Sequence, residues 1–239
     1  GMQVRRGAPR TDNIGAMPHV REDLQTQQPQ RTMHGVRGRQ LQHSLQILNK
    51  EVKIMEPICA PKMGKKNVMI VTNDSEVFLS KKLEAAGDIF GGRVTEVRDF
   101  YKSLEAEFGK EGNGKCNISF GIISTLFGLV PSTYAISCYT YAMSNKEQYE
   151  AAQARKDYAG VLEYVSRGFD MVVVCVPKEM FRILLNNNAL HDGKVVAVTS
   201  KEFEPICRER NWTFLERKGA RIGKENAEKI RQKVSELSA

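Results

Sequence analysis

The chain has 239 residues, 41% apolar and 27% charged, a globular composition with room for a sizeable core. No apolar run approaches the ~20 residues that cross a bilayer, and Arg5, Arg6 and Arg10 have no apolar stretch behind them, so neither a membrane protein nor a secreted one is expected. The five cysteines are scattered, odd in number and without a C-x-x-C pair; a cytosolic protein with no disulfide framework, metal site or cofactor is the reading.

The net charge of +8 is concentrated at the start of the chain. Residues 1–66 hold twelve Lys/Arg against five Asp/Glu, so the remainder is nearly neutral. The same stretch is rich in Gln and poor in large apolar residues until Leu41, a composition that offers little core of its own. Residues 1–62 therefore read as a basic arm suited to neutralising phosphates, or as a solvated extension. Its one helical stretch is expected over 38–50, around Leu41, Leu45, Ile47 and Leu48. Gly1-Met2 has the look of a cloning scar, with Met55 and Met63 as alternative initiators.

From residue 67 the pattern alternates. The apolar run 67–72 predicts a strand, and Asn73, Asp74 and Ser75 follow as cap-type residues with Glu76 three positions after Asn73. Val77, Leu79, Leu83, Ala86 and Ile89 predict a helix that ends at Gly91-Gly92. Residues 93–97 predict a short strand, and Phe100, Tyr101, Leu104 and Phe108 a helix stopping at Gly109. A strand is expected over 117–124, then a long turn region, then one helix over 146–168. The continuous apolar run 170–176 should be a central strand covered on both faces. Pro177 opens a helix, followed by a strand at 195–199, a helix at 202–210, a short strand at 212–215 and a charged helix at 223–237. The fold expected for residues 63–239 is thus a single α/β domain, its mostly parallel sheet covered by helices on both faces.

Ligands of open α/β sheets bind beyond the carboxyl ends of the strands. The residues there are Thr72, Asn73, Asp74 and Ser75; Ser124 and Thr125; Lys178 and Glu179; and Thr199, Ser200 and Lys201. Small polar tips of this kind suit a phosphate or nucleoside, although Asn, Asp and Ser are also ordinary helix caps. Neither G-x-G-x-x-G nor a P-loop occurs. The loop Gly219-Ala220-Arg221-Ile222-Gly223 precedes a helix and is suited to an anion, with Arg221 and Lys224 as counter-charges, or is simply a hinged helix start. Three of the four histidines lie in the arm and His191 sits in a turn, so no triad is indicated. Cys138 and Cys175, flanked by apolar or aromatic residues, read as buried thiols. An enzyme would have to use Asp74, Lys178 or Glu179 as acid or base.

One segment is more specific. In residues 123–143, Ser124, Phe127, Gly128, Tyr139 and Met143 fill a pattern of apolar-Ser-x-x-aromatic-Gly-apolar-apolar, then a Tyr and a Met four residues later. Gly128 would permit a backbone turn closed to larger residues, and Tyr139 would return an aromatic ring to the strand tip. This stretch resembles the core signature of the peroxide-stress YaaA-like family, and looser likeness extends over about residues 67–230. The chain departs from that family at Phe127, Cys138 and Thr140, where Tyr, Pro and a basic residue are usual. It also lacks the family's long insertion with a helix-hairpin-helix element linked to DNA binding. A related core occurs in archaeosine synthase, whose Pro-Cys-Ser motif is missing here.

The expected role is nucleic-acid-associated, with a nucleotide or exposed base held in a strand-tip pocket around Asn73, Ser75, Ser124, Thr125 and Tyr139, Gly128 forming its turn, and arm cations on phosphates. The alternatives are an enzyme acting on a free nucleoside or nucleotide, and a structural interaction protein without a ligand.

Overall fold

Residues 68–71 and 171–176 are uninterrupted apolar runs rich in β-branched residues, and such a run is stable only where both faces of a sheet are covered. In the computed structural model, which describes residues 60–140 and 145–239, both runs lie in the middle of one sheet. The strands are β1 (Lys66–Asn73), β2 (Glu84–Ala85), β3 (Cys116–Ser124), β4 (Gly128–Pro131), β5 (Ala135–Ile136), β6 (Met171–Cys175), β7 (Val195–Thr199) and β8 (Thr213–Glu216). The main sheet has the order β4-β3-β1-β6-β7-β8, and β2 pairs with β5 in a separate antiparallel ribbon. Only β3 and β4 are antiparallel neighbours within the main sheet.

The helices are α1 (Ala86–Ile89), α2 (Arg93–Phe108), α3 (Lys146–Lys156), α4 (Tyr158–Ser166), α5 (Lys178–Asn186), α6 (Glu204–Glu209) and α7 (Lys224–Ser238). Alternate residues of β1 feed two separate cores. Val68 and Ile70 pack with Val94, Val97 and Leu104 of α2 and with Ile230 and Val234 of α7. Met69 and Val71 share the other core with residues of α3 to α6, among them Tyr149, Leu162, Phe181 and Cys207. The expected α/β domain with a mostly parallel sheet covered on both faces is therefore what the chain forms. Numbered among themselves, its five parallel strands run 2-1-3-4-5, the doubly wound order whose topological switch lies between the first and third. Here that point is between β1 and β6.

The elements depart from expectation in several places, and the stretch expected as a long turn after residue 124 holds the strands β4 and β5. Residues 73–90 are not one helix. Ser75 Oγ and Ser80 Oγ accept the amides of Val77 and Lys82, local bonds that compete with helical ones. The path is then fixed by Leu79 N to Ile89 O and Gly91 N to Val77 O, both 2.8 Å, and by the Phe78 and Phe90 rings packed 5.2 Å apart. Val77, Leu79 and Leu83 are left exposed.

Residues 93–97 are not a strand but the start of α2. The spacing of Val94, Val97, Tyr101, Leu104 and Phe108 continues one helical stripe, and its burial outweighs the β-propensity of valine.

The helix expected over 146–168 breaks at Asp157, whose φ is +44° and whose side chain caps α4 at Gly160 N. Cys138 is exposed rather than buried: around it the extended segment turns Ile136 and Tyr139 inward and leaves Ser137 and Cys138 outside. The helix expected over 38–50, Cys59 and Met143 lie outside the described residues.

Burial pushes the Cys175 thiol up to about 12 and Cys207 up to about 11, and it raises Cys116 as well. In a chain carrying Cys59→Ser, maleimide at neutral pH should therefore modify Cys138 quickly and the other three thiols only after denaturation. Mass spectrometry reads the stoichiometry, and two or more fast thiols would contradict this packing.

Candidate functional site

The carboxyl ends of the parallel strands bring most of the polar residues singled out in the sequence to one edge, but in two zones of different character. The first is closed on its inner side by hydrogen bonds, and on its outer side it carries a small cleft of about 190 Å³ with Thr125, Tyr139, Gln148 and Arg155 in its lining. Asp74 follows β1 directly, and its Oδ2 accepts Thr125 N at 2.8 Å, Thr125 Oγ1 at 3.0 Å and Tyr139 Oη at 2.6 Å. Tyr139 Oη and Ser124 Oγ are 2.9 Å apart, and Ser124 Oγ also accepts the amides of Leu126 and Phe127. Asp74 is 1% exposed and Ser124 fully buried.

The Tyr139 ring is held edge-on by Phe78, Phe127 and Phe90, with centroids 5.0, 5.7 and 6.3 Å away. Gly128 makes the turn possible: its φ is +80°, and a Cβ there would stand 3.0 Å from Lys156 Cβ. This zone ties the β3–β4 turn and the segment after β5 to the end of β1. With Asp74 Oδ2 surrounded by three donors, its carboxylate is built to hold geometry.

A buried cation completes the same strand end. Arg221, from the loop between β8 and α7, donates from Nη1 to Thr72 Oγ1 at 2.8 Å and to the carbonyl of Asn73, and from Nη2 to the carbonyl of Asp74 at 2.8 Å. Thr72 Oγ1 in turn donates to the carbonyl of Cys175 at 2.9 Å, joining β1 to β6 across the switch point. The amides of Arg221, Ile222 and Gly223 donate to the Glu96 carboxylate of α2 at 3.0, 3.2 and 2.7 Å. The anion of this loop is therefore the chain's own, and Arg221 faces the strand end.

The second zone is open. Pro177, Lys178, Ser200, Arg217 and Gly219 line a cleft of about 280 Å³ between the starts of the segments that follow β6, β7 and β8. Three buried polar atoms at these strand ends have no hydrogen-bond partner: Asn73 Oδ1, Thr199 Oγ1 and Arg217 Nη1. Side-chain alternation puts Asn73 and Thr199 on the face covered by α3 to α6, flanking the turn from β6 into α5. Two strand spacings, roughly 10 Å, separate β1 from β7. No side chain caps the α5 N-terminus, where Pro177 stands.

Of the remaining residues, Ser75 belongs to the loop turn at Val77, Lys201 begins the 3-10 turn Lys201–Phe203, and Lys178 and Glu179 lie at the cleft rim with Nζ and Oε1 4.0 Å apart. Arg217 is the residue that sequence reasoning missed. The available signal was a cation immediately after the last strand of a parallel sheet. Among the described residues no group of three His, Cys, Asp or Glu is placed to hold a metal ion. Neither a family model, nor a curated protein, nor a solved structure matches the chain significantly.

Tyr139→Phe removes the hydroxyl shared by Asp74 and Ser124 while keeping the ring. It should lower unfolding stability by about 1–3 kcal/mol, read as a fall in the urea midpoint at unchanged slope. A midpoint equal to wild type would mean that this hydroxyl does not hold the strand end together.

Proposed function

We propose that the protein is nucleic-acid-associated and binds a nucleotide or exposed base at the carboxyl ends of β1, β6 and β7. The observation that carries this reading is the pair of buried oxygens, Asn73 Oδ1 at the end of β1 and Thr199 Oγ1 at the end of β7, left without a partner with the turn from β6 into α5 between them. An unsatisfied buried polar group costs about 1–3 kcal/mol, so a ligand that supplies the missing bonds recovers a penalty already present in the free protein. Asn73 Nδ2 is taken by the Asp74 carbonyl at 3.1 Å. Its Oδ1 therefore calls for a donor, which a base amino group or a ribose hydroxyl provides, and Thr199 Oγ1 can donate or accept.

The position supports the same class, because nucleotides of doubly wound proteins sit where the strand order reverses. So does the likeness of residues 123–143 to the YaaA-like core, and the excess of Lys and Arg in residues 1–66 suits phosphate contacts. The competing enzyme reading gains little from its best-buried acid, since Asp74 Oδ2 already accepts three hydrogen bonds; its other candidates, Lys178 and Glu179, face each other 4.0 Å apart.

Fluorescence anisotropy of labelled single-stranded DNA, duplex DNA and tRNA tests the proposal with the full chain and with a chain beginning at Met63. At least one probe should bind both, with log K falling linearly in log salt and more steeply for the full chain. Asn73→Ala should weaken that binding by roughly tenfold, the worth of one buried hydrogen bond. Binding lost with the arm would put the contacts outside the α/β body, and wild-type affinity in Asn73→Ala would remove this pocket from the interaction.

A further inference from the structure

Arg217 carries an inference that rests on the nucleotide reading and sharpens it. The residue leaves β8 with its amide bonded to the Thr199 carbonyl at 2.8 Å, which fixes it beside the end of β7. Its Nη1 is buried without a hydrogen-bond partner, and among the described residues no carboxylate lies within ion-pair distance of its guanidinium. Burial pulls its pKa below the ordinary arginine value, and the neighbouring Arg93 pulls the same way.

Three groups, Cys175, Glu96 and Tyr149, act in the opposite direction, and none is a full counter-ion. Cys175 holds its proton, its thiol being pushed up to about 12, and the Glu96 carboxylate is already spent on three amides. A partly desolvated cation next to a like charge is a local deficit of negative charge.

The cleft that Arg217 lines supplies the other parts of an anion site. The first-turn amides of α5, a helix of nine residues, have no acceptor within the helix and no capping side chain. Thr199, fully buried, offers an unpartnered hydroxyl beside the cleft-lining Ser200. Ser200 Oγ reaches Glu202 at 3.3 Å, and Lys178 adds positive charge at the rim against Glu179. At about 280 Å³ the cleft is at the lower limit of ligand pockets, sized for a phosphate and its ester linkage rather than a whole nucleotide.

We propose that this cleft is a phosphomonoester subsite, in which Arg217 and the first-turn amides of α5 hold the terminal phosphate of a nucleoside 5′-phosphate or of a 5′-phosphorylated strand. The sugar and base extend toward Asn73. A guanidinium suits this role because its fork matches two phosphate oxygens at once.

Calorimetry on the full chain tests it with the four nucleoside 5′-monophosphates, the four nucleosides, and one single-stranded oligonucleotide with and without a 5′-phosphate. At least one phosphorylated probe should bind tenfold or more tightly than its unphosphorylated counterpart. The monophosphates against the phosphorylated oligonucleotide tell a free nucleotide from a strand end. Arg217→Gln should abolish the phosphate advantage and leave nucleoside affinity as it is, whereas Arg217→Lys should retain part of the advantage. Equal affinity for phosphorylated and unphosphorylated probes in wild type, or an advantage undiminished in Arg217→Gln, would overturn the subsite and leave the nucleotide reading standing. Binding of no probe would overturn both. If Arg217→Gln does not fold, the wild-type comparison and Arg217→Lys decide the matter.

Discussion

The end of a buried strand is a chemical problem, because its last carbonyls have left the sheet but not the protein. At β1 the carbonyls of Asn73 and Asp74 are satisfied by one guanidinium, that of Arg221, which lies 147 residues from Asp74. Much of the polar architecture follows from that contact. It draws the loop after β8 back across the sheet, and it sets the amides of Arg221, Ile222 and Gly223 where Glu96 can receive them. A buried arginine is costly unless its donors are matched, and here Thr72 Oγ1 and two carbonyls match them while a carboxylate holds its backbone. The strand β1, the helix α2 and the start of α7 become one unit.

Against that settled region stands a neighbouring one that is unsettled. Around Asp74, Ser124 and Tyr139 each polar group faces another, so this cluster spends its hydrogen bonds on the fold. Around Asn73, Thr199 and Arg217 three buried atoms face none. The two zones meet at consecutive residues, Asn73 and Asp74, whose side chains leave the strand end in different directions. Rigidity on one side is what makes unmet demand tolerable on the other, since an unsatisfied group in a loose loop would turn outward to water. The closed cluster therefore acts as the support of the open cleft.

Much of the frame was legible in the sequence. The strand at 195–199 forms residue for residue, and the continuous run at 170–176 lies centrally, because full burial of both faces leaves a one-dimensional mark. Tyr139 was expected back at the strand tip, and its hydroxyl is found on Ser124 and Asp74. The failures have local causes. Val77, Leu79 and Leu83 have helical spacing, but Ser75 and Ser80 take up nearby amides and the Phe78–Phe90 contact outweighs them. Val94 and Val97 favour a strand by propensity yet continue the buried stripe of α2. Contacts such as Glu96 with the loop at 221–223 leave no sequence trace, since the partners are backbone amides 125 or more residues away. Beside Arg217 the glycine loop at 219–223 has the stronger anion-site pattern in sequence, yet in the fold Glu96 fills that loop.

The long reach of Arg221 also orders events on the ribosome. Synthesis runs toward the carboxyl end, and every strand of the sheet precedes Arg221 in the chain. Until Arg221 emerges, the carbonyls at the end of β1 have no guanidinium and the loop after β8 has no anchor. Vectorial folding thus assembles the scaffold first and the strand-end chemistry last.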